Sequence, residues 1–345
     1  MHKKLIPIEK VKTNYILANE VVSNKGILLA VEGTAVNGYM LNKLIEFGVN
    51  QLWVYNYDDE NGDHKTYEQI KETYKASVKT IKNIILRLSA GENLDETGLE
   101  FISDFVYTQR NKANLIIRCL EDTKKSDEYT YRHCINVALY SMLAAKWLGF
   151  DENNLKGIIQ AGLLHDIGKI KIPSEILNKK GRLTSEEYEI MKNHSLYGYD
   201  ILRRCGMIKD KVKKAVLFHH ERIDGSGYPF GIINERIDLF SKIIAVADVY
   251  DAMTTDRIYK SRVPPFDAFL ELGTACLDKF DSFILRMFLK NISVYYVGAY
   301  VRLSNGKVAE IEYVPPHDIV HPVVRVDSCF LDLSAENEIK IAAMI

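Results

Sequence analysis

Residues 161–172, AGLLHDIGKIKI, set a histidine, an aspartate and a lysine into an otherwise apolar helical segment that ends at a glycine. An unpaired buried charge is costly, so His165, Asp166 and Lys169 need partners from elsewhere in the chain: counter-charges, or a metal. Whatever fold surrounds this segment must therefore carry polar side chains to it through an apolar core. A second segment makes the same demand, because IIAVADVYDAM holds Asp248 and Asp251 three residues apart among apolar neighbours.

Five of the nine histidines, His133, His165, His194, His219 and His220, fall between positions 133 and 220. Taken one at a time, each reads more readily as a structural or surface histidine. His165-Asp166 reads as a polar pair at a helix end, and His219-His220-Glu221 as a helix C-terminus, where histidine suits the dipole. Taken together they fit another reading: imidazoles and carboxylates gathered around hard or borderline cations would neutralise all these groups at once. The five cysteines (119, 134, 205, 276 and 329) are odd in number, scattered and without a C-x-x-C pair. That argues against a disulfide framework or a zinc knuckle, and leaves nitrogen and oxygen as the expected ligands.

The length of 345 residues allows two or three domains. With 45 Lys and Arg against 46 Asp and Glu, no overall field recruits long nucleic acid or an anionic membrane, so the function is expected in a pocket. No apolar run approaches the ~18–20 residues of a membrane span, and the start MHKKLIPIEK lacks the apolar core of a secretory signal, so the expected location is cytoplasmic. Short Val/Ile/Leu stretches split by Asn24-Lys25-Gly26 and Glu32-Gly33-Thr34, with one helix, MLNKLIEFG, predict a small β-rich N-terminal domain over 1–57. A linker and connecting helix are expected over 58–100 and a large helical block over 101–292. Strand-like alternation with a turn at Ser304-Asn305-Gly306 predicts a small β unit over 293–345.

The pieces YRHCINVALY, LLHDIGKIKIP, MKNHSLYGYDIL, HHERIDGSGYPFG and IIAVADVYDAMTTDRIYK, in this order, resemble the HD-GYP domain. This is the branch of the HD metal-dependent phosphohydrolases that degrades cyclic di-GMP. The resemblance implies a mainly α chain, with an HD-type all-helical catalytic domain between the two β regions. It implies His133, His165, Asp166 and Asp248 as ligands of one divalent metal, and Asp166, His194, His219 and His220 as ligands of a second. Asp166 would bridge them, since a carboxylate offers two oxygens and a neutral imidazole one lone pair. Iron or manganese suits such ligands, although nickel, cobalt or zinc competes on affinity. Two cations ~3.5–4 Å apart would share a water, activate it as a bridging hydroxide and clamp the phosphoryl oxygens. Lys169 would assist at the phosphate or the departing ribose oxygen. Arg257 and Lys260 match phosphate or guanine contacts, and Gly227, Tyr228 and Pro229 belong to a loop expected to shape the substrate wall.

Some members of that family carry a glutamate four residues before the first ligand histidine and use it to help hold a third metal. Here the position is Tyr129, and a phenol with a pKa near ~10 is a poor substitute. Glu128 points ~100° around the helix. The expected centre is therefore binuclear. The expected reaction is hydrolysis of cyclic di-GMP to linear pGpG. The alternatives are a receptor that binds without turnover, or a phosphodiesterase for another ring such as cyclic GMP-AMP. Any homodimer would form through the N-terminal region or the connecting helix.

Overall fold

A helix buried on every side has to lie at the centre of its domain, and the stretch from Arg132 to Ala145 is buried at every residue. In this computed structural model the description covers all residues except 1–2, 14, 56–59, 124–128, 257–262 and 337, and excludes the side chains of 60–65. The N-terminal elements are β1 (Lys3–Pro7), β2 (Ile16–Leu17), β3 (Val21–Val22), β4 (Leu28–Ala30), α1 (Gly38–Glu46) and β5 (Gln51–Tyr55). Helices follow: α2 (Glu60–Ser89), α3 (Glu96–Thr108), α4 (Ala113–Thr123), α5 (Tyr129–Trp147), α6 (Glu152–Leu164), α7 (Ser174–Leu177), α8 (Ser185–Lys192), α9 (His194–Arg203), α10 (Asp210–Phe218), α11 (Leu239–Thr254), α12 (Pro265–Thr274) and α13 (Ser282–Ser293). The chain closes with β6 (Tyr300–Leu303), β7 (Val308–Tyr313), β8 (Val323–Val326), β9 (Cys329–Asp332) and β10 (Ile341–Met344). The chain is thus mainly helical, with small antiparallel sheets toward both ends.

One compact unit comprises Tyr67–Val263 and Thr274–Leu285. At its centre α5 packs against α6 and α11, and α10 packs against α6, α9 and α11. Helix starts are set by short acceptors. Asp151 accepts from the Asn154 amide at 2.8 Å to open α6, and Asp238 accepts from Ser241 at 3.1 Å to open α11. Thr184 and Glu187 form a capping box at α8.

The apolar segment that holds His165 and Asp166 departs from its expected form. The helix ends at Leu164 instead of running to the glycine, His165 is its C-cap, and a 3-10 turn spans Ile167–Lys171. The reason is contact with α9. A Cβ on Gly168 would lie 1.9 Å from the His194 carbonyl oxygen and 2.4 Å from the Gly198 nitrogen, so the backbone passes directly against α9. Only glycine permits that approach.

The other unit comprises Met1–Thr66, Pro264–Gly273 and Arg286–Ile345, so both β-rich ends of the chain share it. Its sheets run β1-β5-β2, β3-β4 and β10-β6-β7-β8-β9, every pairing antiparallel. The hairpins expected around Asn24-Lys25-Gly26 and Ser304-Asn305-Gly306 are present as β3-β4 and β6-β7. Asn37 stitches the two ends together: its Oδ1 caps α1 at the Met40 amide, 2.8 Å away, while its Nδ2 donates to the Glu312 carbonyl on β7 at 2.6 Å. The Tyr313 hydroxyl donates to the Leu29 carbonyl at 2.5 Å. Among the described residues no helix is long and apolar enough to cross a membrane.

The close approach at Gly168 generates a stability prediction. Gly168→Ala should destabilise the chain by about 1–3 kcal/mol or more, because the added methyl meets backbone rather than a side chain that can move aside. Thermal denaturation checks this, and an unchanged midpoint would contradict the packing described.

Candidate metal centre

Five helices deliver the polar residues. His133 lies in the second turn of α5, Asp248 lies in α11, His165 and Asp166 follow α6, His194 opens α9, and His219 and His220 follow α10. They assemble into two groups, Asp166 with His194, His219 and His220, and His133 with His165 and Asp248. Within each group the candidate ligand atoms lie within 4.8 Å of one another. Asp166 reaches toward both groups: its Oδ1 is 3.4 Å from His194 Nε2, and its Oδ2 is 3.3 Å from His165 Nε2 and 3.8 Å from His133 Nε2. His133 Nε2 is 3.1 Å from Asp248 Oδ1.

Helix ends set the ring tautomers. The last carbonyls of a helix lack intrahelical donors. His165 Nδ1 lies 2.8 Å from the Gly162 carbonyl at the end of α6, His194 Nδ1 2.8 Å from Met191 at the end of α8, and His219 Nδ1 2.8 Å from Val216 at the end of α10. A carbonyl can only accept, so each Nδ1 carries the proton and each Nε2 keeps a lone pair. One contact therefore satisfies a helix end and aims a ligand atom.

Those lone pairs show whether cations fit. His165 Nε2 and Asp166 Oδ1 are buried without a hydrogen-bond partner. The Nε2 atoms of His194 and His219 face each other at 3.3 Å, with each proton committed to the opposite ring nitrogen. Such a set is unfavourable with nothing positive between its members and well matched to divalent cations. The residues present thus fit two metal ions.

The electrostatics agree. Burial would raise Asp166 and Asp248, but Lys169 beside Asp166 and the His133 bond to Asp248 outweigh it and hold both carboxyls well below the usual range. Burial keeps His194, His219 and His220 below the ordinary imidazole value, reinforced by neighbouring imidazoles at His219 and His220, so these rings are neutral. Burial also acts to lower His133, but its bonds to Asp248 and Asp251 prevail and raise it to about 9.

Lys169 lies in the 3-10 turn and donates to Asp166 Oδ2 at 2.5 Å while its side chain remains 28% exposed. The Gly227-Tyr228-Pro229 loop lies against the second group. The Tyr228 amide donates to the His220 carbonyl at 3.2 Å, and its ring centroid is 4.6 Å from that of His220. A Cβ on Gly227 would meet the Arg222 nitrogen at 2.4 Å and the His220 oxygen at 2.5 Å, so this position excludes any side chain. Arg257 and Lys260 lie outside the described residues, as does Glu128. Tyr129 stacks on His133, with ring centroids 5.5 Å apart, and the described residues contain no third group of this kind.

Sequence reasoning did not assign Glu221 or Asp251. Glu221 is buried and accepts from the Phe230 amide at 2.8 Å and the Ile232 amide at 3.1 Å, which fixes the loop to the segment carrying His219 and His220. Asp251 accepts from His133 Nδ1 at 2.7 Å. Its spacing from Asp248 on an apolar helix was the available signal.

Residues 114–284 match the HD domain family. The chain is 39% identical over 203 residues to a cyclic di-GMP phosphodiesterase of Pseudomonas aeruginosa, covering 59% of this chain and 49% of that protein. It is 35% identical over 232 residues to a cyclic di-GMP phosphodiesterase of Thermotoga maritima, covering 66% and 59% respectively. A 3′3′-cGAMP-specific phosphodiesterase of Vibrio cholerae is 36% identical over 136 residues, covering 39% of this chain and 29% of that protein. The chain thus spans about half the length of the first of these relatives and under two thirds of the second. An HDG"Y"P protein from Bdellovibrio bacteriovorus has a similar fold, with a TM-score of 0.52, 18% identity, and coverage of 84% of this chain and 99% of that one.

Metal uptake should depend on pH in a defined direction. His133 is protonated below its value of about 9 and must lose that proton before Nε2 can hold a cation. Metal affinity of the metal-free chain should therefore rise as pH increases from 6.5 toward 9, with proton release on binding. Calorimetry in two buffers of different ionisation enthalpy measures this, and uptake without proton release at pH 7 would contradict it.

Proposed function

We propose that this chain, whose residues 114–284 match the HD domain family, is a metal-dependent phosphodiesterase of the HD-GYP type that opens cyclic di-GMP to linear pGpG. The observation that carries this reading is the set of unpartnered lone pairs gathered around Asp166. In the proposal His133, His165 and Asp248 hold one divalent ion, His194, His219 and His220 hold the other, and Asp166 joins both. Iron or manganese is the expected metal. Bound there, the two ions would supply Lewis acidity toward a water and a phosphoryl oxygen.

The chain's own groups bind and orient. Lys169 is anchored by Asp166 yet partly exposed, so its ammonium can turn to a phosphate oxygen and stabilise charge that builds there. Gly227, Tyr228 and Pro229 form a wall, and Glu221 fixes the backbone just beyond it at Phe230 and Ile232, which limits how the nucleotide can lie. Arg257 and Lys260 are proposed as phosphate or guanine contacts. A second reading, cleavage of a cyclic GMP-AMP ring, is favoured by the similarity to a 3′3′-cGAMP-specific relative. Incubating the metal-loaded chain with each cyclic dinucleotide and chromatographing the products separates the two. Tight binding without turnover of either would instead mark a receptor.

Lys169→Ala should retain both metals and lose turnover by roughly 10²–10³-fold, the scale of removing one transition-state donor. Loss of metal in that variant would make Lys169 structural. Tyr129 bears on the product. The linear dinucleotide carries more negative charge than the ring, and the neutral phenol stacked on His133 recruits no further cation to balance it. Timed reactions should accumulate pGpG, and Tyr129→Glu should shift products toward GMP. Rapid, complete conversion to GMP by the wild type would refute the role given to Tyr129.

A further inference from the structure

Three of the ligand histidines give their Nδ1 proton to a helix-end carbonyl, whereas His133 gives it to a carboxylate. Its Nδ1 lies 2.7 Å from Asp251 Oδ2, and Asp251 is fully buried. The other oxygen of Asp251 is also committed: Oδ1 accepts from Asn136 Nδ2 at 2.8 Å and from the Thr255 hydroxyl at 3.1 Å. Asn136 is in turn held by Tyr74, whose hydroxyl donates to Asn136 Oδ1 at 2.7 Å. This fixes which way the amide faces, since Oδ1 must accept from Tyr74 while Nδ2 donates to Asp251. Tyr74 is 1% exposed and stands on α2, which contributes no candidate ligand.

We propose that Asp251 is the positioning residue for His133. Held by Asn136, Thr255 and Tyr74, it fixes the ring so that Nε2 faces the group formed with His165 and Asp248. The inference rests on the two-cation reading of the site. Asp251 is not a ligand itself, because both of its oxygens point into this relay. A carboxylate is a stronger, charge-assisted acceptor than the carbonyls behind His165, His194 and His219, and it makes the opposite ring nitrogen a better donor to a metal. The two cation groups are therefore unequal. Helix-end carbonyls back His165, His194 and His219, and only the group of His133, His165 and Asp248 also has an imidazole backed by a side-chain relay, which begins in α2.

Polarity along the relay makes the test specific. Asp251→Asn keeps size and shape but can no longer accept at both ends. If its oxygen faces His133, its amide faces the Asn136 amide and the Thr255 hydroxyl. Adding Asn136→Asp restores an acceptor opposite that amide.

The experiment titrates the metal-free full chain with Mn2+ by calorimetry, with thermal denaturation confirming that each variant is folded. The wild type should show two binding events. Asp251→Asn should weaken one of them by about 10–100-fold and leave the other nearly unchanged. Tyr74→Phe should weaken the same event to a smaller degree, and Asp251→Asn combined with Asn136→Asp should recover part of the loss. Two unchanged events in Asp251→Asn, or equal weakening of both, would overturn the proposal. Should that variant fail to fold, Tyr74→Phe decides alone, and unchanged binding in it overturns the proposal. No uptake by the wild type would overturn the metal centre itself, a result distinct from two normal events in every variant.

Discussion

Asp166 is a carboxylate with only 5% of its surface exposed, and the helical unit is organised around the need to answer its charge. Two oxygens in an apolar interior require several positive or donating partners, and no single helix can present them on one face. The chain meets the requirement by ending helices at the site. Where α6, α8 and α10 stop, the next residues carry imidazoles, and those imidazoles return a proton to the carbonyls the helix left open. Helix termination and the orientation of these imidazoles thus depend on the same contacts.

Much of this was legible in the sequence because the chemistry is restrictive. Histidine and aspartate embedded in apolar helices have few explanations, and His133, His165, Asp166, His194, His219, His220 and Asp248 do lie together. The supporting residues were harder to read. Asn136 and Tyr74 look like ordinary buried residues, and their value lies in hydrogen-bond directions that only a folded chain defines. Glu221 was hidden by its place beside two histidines, where a surface helix end was an adequate account.

The early end of α6 was illegible for a different reason. Local pattern favours continuing an apolar helix through His165 and Asp166, whereas contact between Gly168 and the backbone of α9 requires a turn. A glycine can signal a helix stop or a point of close approach, and periodicity does not separate the two. In the β-rich unit the hairpins followed from their turn residues. The joining of the chain's two ends through Asn37 and Tyr313 depends on bonds spanning more than 270 residues, which local pattern cannot register.

The clamp made by Glu221 bears on how such a scaffold diversifies. One carboxylate, adjacent in sequence to His219 and His220, grips the main chain at Phe230 and Ile232. The histidine pair and the loop backbone are therefore tied to each other through one side chain. The side chains of Phe230 and Ile233, 60% and 54% exposed, project from that anchored backbone. Substitutions at these tips can sample new surface chemistry while the main chain beneath them, and the imidazoles it adjoins, stay put.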